Sequence, residues 1–284
     1  MKVGFIGLGY LGKTIAKRLI SEGVDLVVWN RTLEKASDLG VKMVASPLEL
    51  IKEVNVVFLN LFDSHAVESV LFGENGFNKH NLRGKIIIDT TTNHFQKVVE
   101  FHQKLSAEGA CYLEAPVLGS VVPASQGNLT VLVSGEKTAY EKIKIYIEKI
   151  GKTIFYLEDI GLATKMKLIN NLLLGVFMAS IAEATVFAES TGIDKETALN
   201  IFSAGAGNSM VLNAKREKML KEDFSTHFSS ALLHKDLHYL QDFARTLRRP
   251  LFTGSIVKEL FGLTFRENME TLDFSAVYKV LKNL

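Results

Sequence analysis

The chain has 284 residues, of which 47% are hydrophobic and 23% charged, as in a soluble globular protein with room for two domains. Its net charge of +2 offers no electrostatic case for binding nucleic acid or an anionic membrane. The one cysteine, Cys111, excludes an internal disulfide and favours a reducing, cytoplasmic location. The most apolar later stretch, residues 168–182, contains Asn170 and Asn171, and we expect a buried helix too short and too polar to span a membrane.

A glycine-rich turn directly follows the first apolar strand. Its pattern, G-x-G-x-x-G, allows a sharp turn, a close approach to a pyrophosphate and tight packing of the next helix on the strand. A helical stretch, residues 13–21, follows, so free N–H groups at its start can bind phosphate oxygens. The residues predicted to lie against a dinucleotide are Gly7, Leu8, Gly9, Tyr10, Leu11 and Gly12.

The second strand, residues 24–29, leads into the tripeptide Asn30-Arg31-Thr32. Chains that bind NAD usually carry Asp or Glu at this place, where the carboxylate holds the ribose 2′-hydroxyl. An amide, a cation and a hydroxyl suit a 2′-phosphate instead, and Lys35 adds a second cation. We therefore expect NADP(H), with the alternative that Arg31 and Lys35 are ordinary surface cations.

Strands and helices continue to alternate through the first half. The predicted strands are residues 41–44, 54–59, 85–88, 111–117, 129–134 and 153–156, and the predicted helices are 33–39, 47–52, 95–107 and 138–150. Ser46 and Pro47 form a helix cap with a proline at the first helical position. Alternation of this kind predicts an α/β domain of the doubly wound Rossmann type, with helices on both faces of one sheet. We assign it residues 1–160.

No convincing strand is predicted after residue 161, so residues 161–284 are expected to form an all-α domain. It begins with a helix of nearly thirty residues, Leu162–Ser190, which is largely apolar around its circumference. Such a helix must be buried on several sides, and we expect a second subunit to cover it in a homodimer or homotetramer. Asp194 caps the next helix, and the later predicted helices are residues 195–203, 209–220, 231–246, 253–267 and 275–281.

Lys167 and Asn171 lie four positions apart at the start of the long helix, so they share one face. A lysine entering a largely apolar helix is costly unless it has a partner or a function. Burial lowers the pKa of a lysine towards neutrality, where it can donate and accept protons. Asn171 can hold that lysine or bind a substrate oxygen. The alternatives are a lysine that merely reaches past the helix end to solvent, and Lys165 as the functional amine.

Four segments resemble the β-hydroxyacid dehydrogenases related to 3-hydroxyisobutyrate dehydrogenase and 6-phosphogluconate dehydrogenase. They are the loop Glu114-Ala-Pro-Val-Leu-Gly-Ser120, the segment 158–171 that ends in Lys-x-x-x-Asn, the pair Lys235-Asp236 and the turn Asp89-Thr-Thr-Thr92. The likeness covers essentially the whole chain. It implies that Lys167 is the acid/base residue, assisted by Asn171.

The resemblance also implies further site residues. Thr92, the turn Asn60-Leu61 and Lys235 are expected to lie against the cofactor. The expected substrate-binding residues are Leu118, Gly119, Ser120, Phe228 and Asp236, with Phe228 either a core residue or a lid over the nicotinamide. This set looks especially like the NADPH-dependent glyoxylate and succinic semialdehyde reductases. It implies hydride transfer between NADPH and a small aldehyde acid or β-hydroxy acid.

Leu118 departs from the family pattern, which has a serine there to bind the substrate carboxylate. Binding would then fall to Ser120 and to backbone N–H groups near Gly119, and a longer or less polar carbonyl compound would suit the pocket. Glu158 and Ala163 replace two glycines of the catalytic segment. Two other functions remain open: an imine reductase on the same scaffold, and a non-catalytic NADP-binding regulatory module.

Two features of the sequence are expected to carry no chemistry. His234 and His238, with Asp242 one turn further, have the spacing of a metal site, but no third strong ligand is evident and we expect no metal. Cys111 lies inside an apparent strand and is expected to pack rather than to react.

Overall fold

The computed structural model describes residues 2–284 and divides into two compact units, with the boundary between Lys167 and Leu168. The expected domain boundary, after residue 160, lies seven residues before this division. The helix that begins at Leu162 continues without a break from the first unit into the second.

The first unit contains a parallel sheet of six strands in the order β3-β2-β1-β4-β5-β6. The strands are β1 (Val3–Ile6), β2 (Leu26–Trp29), β3 (Lys42–Met43), β4 (Val56–Leu59), β5 (Ile86–Asp89) and β6 (Cys111–Glu114). The order reverses between β1 and β4, and ligands of doubly wound sheets bind beyond the carboxyl ends of the strands at such a point. The predicted Rossmann-type fold is confirmed.

Helices cover both faces of this sheet. They are α1 (Tyr10–Ser21), α2 (Pro47–Glu53), α3 (Ser64–Phe72) and α4 (Phe95–Ala107). The predicted cap of α2 is present, since Ser46 Oγ accepts a hydrogen bond of 3.1 Å from Glu49 N. The central strands β1, β4 and β5 are buried throughout, as their uninterrupted apolar sequences require.

The strands after β6 form a second sheet, whereas the alternation of strands and helices predicts a single one. It contains β7 (Val117–Leu118), β8 (Leu129–Val133) and β9 (Gly151–Tyr156), with β7 antiparallel and β9 parallel to β8. Helices α5 (Val121–Ser125) and α6 (Lys137–Ile150) join these strands. The chain turns away at Ala115-Pro116, so the predicted strand 111–117 is divided between the two sheets.

The second unit is helical, as predicted, and holds most of the long helix α7 (Leu162–Ser190). The later helices are α8 (Lys195–Ala204), α9 (Met210–Lys221), α10 (Ser230–Thr246), α11 (Phe252–Arg266) and α12 (Val277–Lys282). The predicted cap of α8 is formed by Asp194 Oδ1, which accepts a hydrogen bond of 3.0 Å from Thr197 N. Between residues 168 and 284 the only strand-like pairing is an isolated bridge between Ser229 and Asp273.

Helix α7 is 29 residues long, and by length and composition alone it could cross a membrane. The expectation that this apolar region is too short to span a membrane is therefore wrong, because the helix extends well beyond residues 168–182. Lys167, Asn171 and Thr185 are nevertheless buried on it and hydrogen-bonded. Each of these three buried side chains thus makes at least one hydrogen bond within the protein.

Candidate active site

The glycine turn is packed as closely as its sequence pattern requires. Gly7 has a φ of +98°, and a Cβ there would lie 2.1 Å from the backbone oxygen of Asn60. A Cβ on Gly12 would lie 2.1 Å from the oxygen of Gly7. A Cβ on Gly9 would meet nothing within 4 Å. The turn is therefore closely packed at Gly7 and Gly12, while space is left beside Gly9.

The start of α1 is built to receive an anion. Its N-cap is Gly9, without a side chain to bind the first N–H groups, and its first turn contains no acidic residue. The positive end of the helix dipole and the N–H groups of the first turn are thus left for a ligand. The closed packing at Gly7 and Gly12, with the open middle, fits the pyrophosphate of a dinucleotide.

Asn30 has a role that the sequence does not indicate. Its Oδ1 accepts a hydrogen bond of 2.8 Å from Leu8 N, and its Nδ2 donates one of 2.7 Å to the oxygen of Thr32. The side chain therefore ties the glycine turn to the end of β2. Arg31, Thr32 and Lys35 are exposed beyond it, and no carboxylate stands at residues 30–32.

The turns after β4 and β5 are joined by side-chain hydrogen bonds. Asn60 Nδ2 donates to Thr90 Oγ1 at 2.8 Å, and Leu61 N donates to Thr91 Oγ1 at 2.9 Å. The predicted cofactor residues Asn60 and Leu61 are thus held together with the turn that leads to Thr92. All of them follow the carboxyl ends of neighbouring strands, where a dinucleotide is expected.

Asp89 organises the second of these turns and was not among the predicted site residues. It is buried at the end of β5 and accepts hydrogen bonds from Thr91 N at 2.9 Å and from the Tyr112 hydroxyl at 2.6 Å. Burial raises the pKa of Asp89, while these donors act in the opposite direction. Its place at the end of an apolar strand is the signal that could have identified it.

The predicted substrate loop begins on β7 at Leu118. Gly119 has a φ of +117°, and a Cβ there would lie 2.9 Å from a side-chain carbon of Leu129. Ser120 is the residue before α5, and its side chain does not cap that helix. The glycine thus sets the sharp bend of the loop, and the Ser120 hydroxyl is not used as a cap.

Lys167 belongs to the same unit as this loop. Its side chain is 8% exposed, and Nζ donates a hydrogen bond of 2.9 Å to the backbone oxygen of Val117. The amine is therefore held beside the first residues of the substrate loop, which excludes a side chain that merely reaches out to solvent. Lys165 lies two positions earlier, with Nζ close to Gly161.

In the second unit, Asn171 and Asp236 form a buried pair. Asn171 is fully buried, and its Nδ2 donates a hydrogen bond of 2.6 Å to Asp236 Oδ2. The other carboxylate oxygen of Asp236 lies 2.8 Å from Lys235 Nζ, which also lies 4.7 Å from the centre of the Tyr239 ring. Within residues 2–284 nothing donates to Asn171 Oδ1, which is a buried acceptor turned away from the carboxylate.

Phe228 lies on the segment before α10, and its backbone N–H is hydrogen-bonded to a carboxylate that belongs to a buried ion pair. Its ring packs edge-on against Phe274 at 5.9 Å, and its backbone N–H donates to Asp273 Oδ2 at 3.2 Å. The same carboxylate oxygen is 2.9 Å from Lys215 Nζ, and both charged side chains are buried. The segment that carries Phe228 is thus fixed at its backbone.

His234, His238 and Cys111 are the residues expected to carry no chemistry. The rings of His234 and His238 are 4.5 Å apart, edge to face, and burial lowers the pKa of each. No group of three potential metal ligands occurs within residues 2–284. Cys111 is partly buried in β6, with Sγ 3.1 Å from Glu136 Oε2, and burial raises the pKa of its thiol to about 11. Near neutral pH it is a protonated, weakly reactive thiol.

Comparisons with known proteins agree with this geometry. Residues 2–158 match a family described as the NAD-binding domain of 6-phosphogluconate dehydrogenase. Residues 161–281 match one described as NAD-binding of NADP-dependent 3-hydroxyisobutyrate dehydrogenase. Two relatives from Arabidopsis thaliana, glyoxylate/succinic semialdehyde reductase 2 (chloroplastic) and reductase 1, are 32% and 31% identical over 285 residues. These alignments cover 99% of this chain and 80% and 99% of the relatives.

Solved structures show the same fold. A 3-hydroxyisobutyrate dehydrogenase from Salmonella typhimurium superposes with a TM-score of 0.91 at 26% identity, covering 99% of both chains. Psf3, solved in complex with NADP+ and 2-OPP, superposes with a TM-score of 0.90 at 28% identity, covering 98% of this chain and 99% of Psf3.

The fold, the glycine turn and the buried lysine define an NAD(P)-dependent oxidoreductase with a Rossmann-type domain and a helical domain. The chain belongs to the 3-hydroxyisobutyrate dehydrogenase family of β-hydroxyacid dehydrogenases. The predicted family and class of enzyme are therefore confirmed.

Proposed function

We propose that this enzyme is an NADPH-dependent reductase of small aldehyde acids, of the glyoxylate or succinic semialdehyde type, that interconverts them with hydroxy acids. The observation that carries the proposal is the buried amine of Lys167, held 2.9 Å from the oxygen of Val117 beside the substrate loop. The two Arabidopsis relatives support this substrate class by their names.

In this proposal Lys167 is the general acid. When bound, the reduced nicotinamide supplies a hydride to the carbonyl carbon. Lys167 Nζ donates a proton to the carbonyl oxygen as that oxygen gains negative charge, and in the reverse direction the neutral amine accepts it. A positioned general acid contributes about 10²–10⁴-fold in rate. Gly119 and Ser120 offer backbone N–H groups and a hydroxyl to the substrate carboxylate, and Asn171 follows Lys167 one turn along α7.

The preference for NADPH is inferred from the end of β2. The side chain of Asn30 is used within the protein, so the exposed Arg31, Thr32 and Lys35 are the groups proposed to bind a 2′-phosphate. A guanidinium beside a hydroxyl is well suited to a phosphate dianion, whereas a 2′-hydroxyl is usually held by a carboxylate. The binding of NADP+ to the similar Psf3 structure supports this assignment.

A second copy of the chain is the proposed partner. Along α7, an apolar stripe leaves side chains between 39% and 51% exposed at Leu162, Met166, Ile169, Leu173 and Phe177. Their spacing of three and four places them on one face of the helix. Exposed contiguous apolar surface of this kind marks an interaction site. Sedimentation of the purified protein should show a dimer or tetramer, whereas a monomer would contradict the proposal.

The central test is a screen of substrates with both cofactors. We expect oxidation of NADPH with glyoxylate or succinic semialdehyde, and weaker activity with NADH. NADPH oxidation that needs an amine together with a ketone would identify an imine reductase instead. Oxidation of 3-hydroxyisobutyrate with NAD as the best reaction would favour a catabolic dehydrogenase. If no carbonyl compound is reduced, the proposed function is wrong.

Two variants test the role of the lysine. Lys167→Ala should lose more than about 99% of turnover, as expected for a general acid, while NADPH still binds. Lys165→Ala, two positions away on the same helix, is the matched control and should retain turnover. Full activity of the Lys167 variant would refute the assignment.

A further inference from the structure

The start of α7, five residues before Lys167, is capped by side chains from another part of the chain. Its own N-cap is Gly161, with a φ of +88°, and its first turn contains no acidic residue. Glu114 supplies the missing carboxylate: Oε1 accepts a hydrogen bond of 2.5 Å from Gly161 N, and Oε2 accepts one of 3.0 Å from Thr164 N. Helix starts normally obtain such acceptors from neighbouring residues.

The two remaining N–H groups at this helix start are also satisfied. Ala163 N donates to Ser134 Oγ at 3.0 Å, and Leu162 N donates to the oxygen of Asp159 at 3.2 Å. Ser134 and Glu114 are themselves joined by two backbone hydrogen bonds of 3.0 and 3.1 Å. Each N–H group of the first turn of α7 is therefore paired, and most of the acceptors come from Glu114 and Ser134, at the ends of β6 and β8.

Glu114 is held firmly at this place. It is 1% exposed at the end of β6, and Nε2 of the buried His102 lies 3.3 Å from Oε1. A buried carboxylate is costly unless donors surround it, and here two backbone N–H groups donate to it while the His102 ring lies beside it. The carboxylate of Glu114 thus has little conformational freedom, as a group that positions a helix must.

The same segment also binds the catalytic side chain. Val117 lies three residues after Glu114, and its oxygen accepts the hydrogen bond from Lys167 Nζ. Along α7, Lys167 follows Thr164 by three residues, or about 4.5 Å of helix rise. Residues 114–117 thus bind both the helix start and, one turn later, the amine that the helix carries.

We propose that Glu114 is a positioning residue for the enzyme reaction. Its carboxylate fixes the first turn of α7 and thereby the place of Lys167 Nζ. The inference rests on the proposed function for its kinetic consequence. Its structural content, that the carboxylate holds Lys167 in place, is independent of any substrate.

The kinetic test uses Glu114→Gln, which keeps the size of the side chain but places an NH₂ group against one of the two helix N–H groups. We expect kcat to fall about 10–100-fold, since small misplacements of a catalytic group have effects of this size, with the Kd for NADPH unchanged within about twofold. Glu114→Asp restores a carboxylate and should bring kcat back to within about threefold of wild type. Asp194→Asn, the same chemical change at the start of α8, should leave kcat unchanged.

A labelling experiment tests the structural part without any substrate. Acylation of individual lysines, followed by peptide mass spectrometry, should show Lys167 reacting about fivefold faster in Glu114→Gln than in wild type, as expected for loss of a helix cap. Lys85, which is also 8% exposed in the same unit, is the internal control and should not change.

The outcomes separate the two proposals. Unchanged labelling of Lys167 in folded Glu114→Gln overturns the inference about Glu114. A kcat within about twofold of wild type, or an equal loss of NADPH affinity and kcat, also overturns it. Faster labelling in a protein that reduces no carbonyl compound supports the positioning role and refutes only the proposed function.

Discussion

Asn171 and Asp236 meet through a hydrogen bond of 2.6 Å between two side chains that are both almost completely buried. Because a carboxylate only accepts hydrogen bonds, the amide NH₂ of Asn171 must face Asp236, and its oxygen must face away. The pair therefore fixes which end of the amide is presented as an acceptor. Lys235 balances the charge of Asp236 from the other side.

Asp236→Asn should disturb this orientation. The amide cannot be a double acceptor, so it loses a charge-assisted hydrogen bond worth about 1.5–3 kcal/mol and leaves Lys235 without its ion pair. We expect kcat/KM for the aldehyde acid to fall at least about tenfold, with NADPH binding unchanged. Asp242→Asn, on the same helix but partly exposed beside Arg245, is the control and should behave as wild type. Equal kinetics in the two variants would contradict the role of Asp236.

Arg31→Ala should change the choice of cofactor. Loss of hydrogen bonds from a guanidinium to a phosphate dianion is worth about 1.5–3 kcal/mol, so the Kd for NADPH should rise about 10–100-fold. The Kd for NADH, which has no 2′-phosphate, should stay within about twofold. Fluorescence titration with both cofactors measures this. Arg83→Ala removes another exposed arginine of the same unit and should not alter the ratio. If Arg31→Ala also leaves the ratio unchanged, Arg31 is a surface cation.

Leu118→Ser should improve activity towards the smallest substrates. A hydroxyl at this position can donate to a carboxylate, and a hydrogen bond to a charged group corresponds to about tenfold in kcat/KM. For longer, less polar aldehyde acids we expect a decrease, because apolar contact is lost. The ratio of kcat/KM for glyoxylate and a longer aldehyde acid is the measurement. Val122→Ser, at an exposed position on α5, is the control. An unchanged ratio would show that Leu118 does not contact the substrate.

Asp273 provides a prediction about stability and pH. Burial opposes its ionisation, but Lys215 and the donors of Ser275 outweigh burial, so the pKa of Asp273 lies below its ordinary value. A carboxyl with a lowered folded-state pKa stabilises the protein above the unfolded value of about 3.9, and that stability is lost as pH falls through the folded value. Asp273→Asn should reduce the free energy of unfolding by about 3–5 kcal/mol at neutral pH, because buried Lys215 loses its partner.

Urea unfolding at fixed protein concentration, at neutral pH and below about pH 4, tests this prediction. The difference between wild type and Asp273→Asn should begin to shrink as pH falls below the unfolded value, and should be smallest below the folded pKa of Asp273, where the wild-type carboxylate is protonated. Asp38→Asn removes an exposed carboxylate paired with Lys13 and Lys17, and should cost much less. A difference that stays constant across the pH range would exclude the ionised pair as its source.

The features that the sequence predicts correctly are those carried by neighbouring residues. The glycine turn, the cap at Ser46 and the shared face of Lys167 and Asn171 each depend on a spacing of a few positions. Helix α4 was predicted with its observed limits, Phe95–Ala107, because apolar residues recur on one face between polar ones.

The features that were missed depend on contacts between distant parts of the chain. Glu114 caps a helix through Gly161, which lies 47 residues later, and no local pattern shows where its carboxylate is used. The second sheet depends on pairing β7 with β8 rather than with the strands before them. The sequence does not predict helix α3, although Asp63 caps it, because its nine residues are too few for a clear period.

The inward side chain of Asn30 has a practical consequence for engineering. Asn30 is hydrogen-bonded to Leu8 N in the glycine turn and to Thr32 O in the chain that follows β2. It should therefore not be mutated when the specificity for the coenzyme is changed. On the proposed preference for NADPH, redesign towards NADH is better begun at Arg31 and Thr32, whose side chains are exposed. On that proposal, recognition of the coenzyme and support of the glycine turn fall to adjacent residues, Arg31 and Asn30.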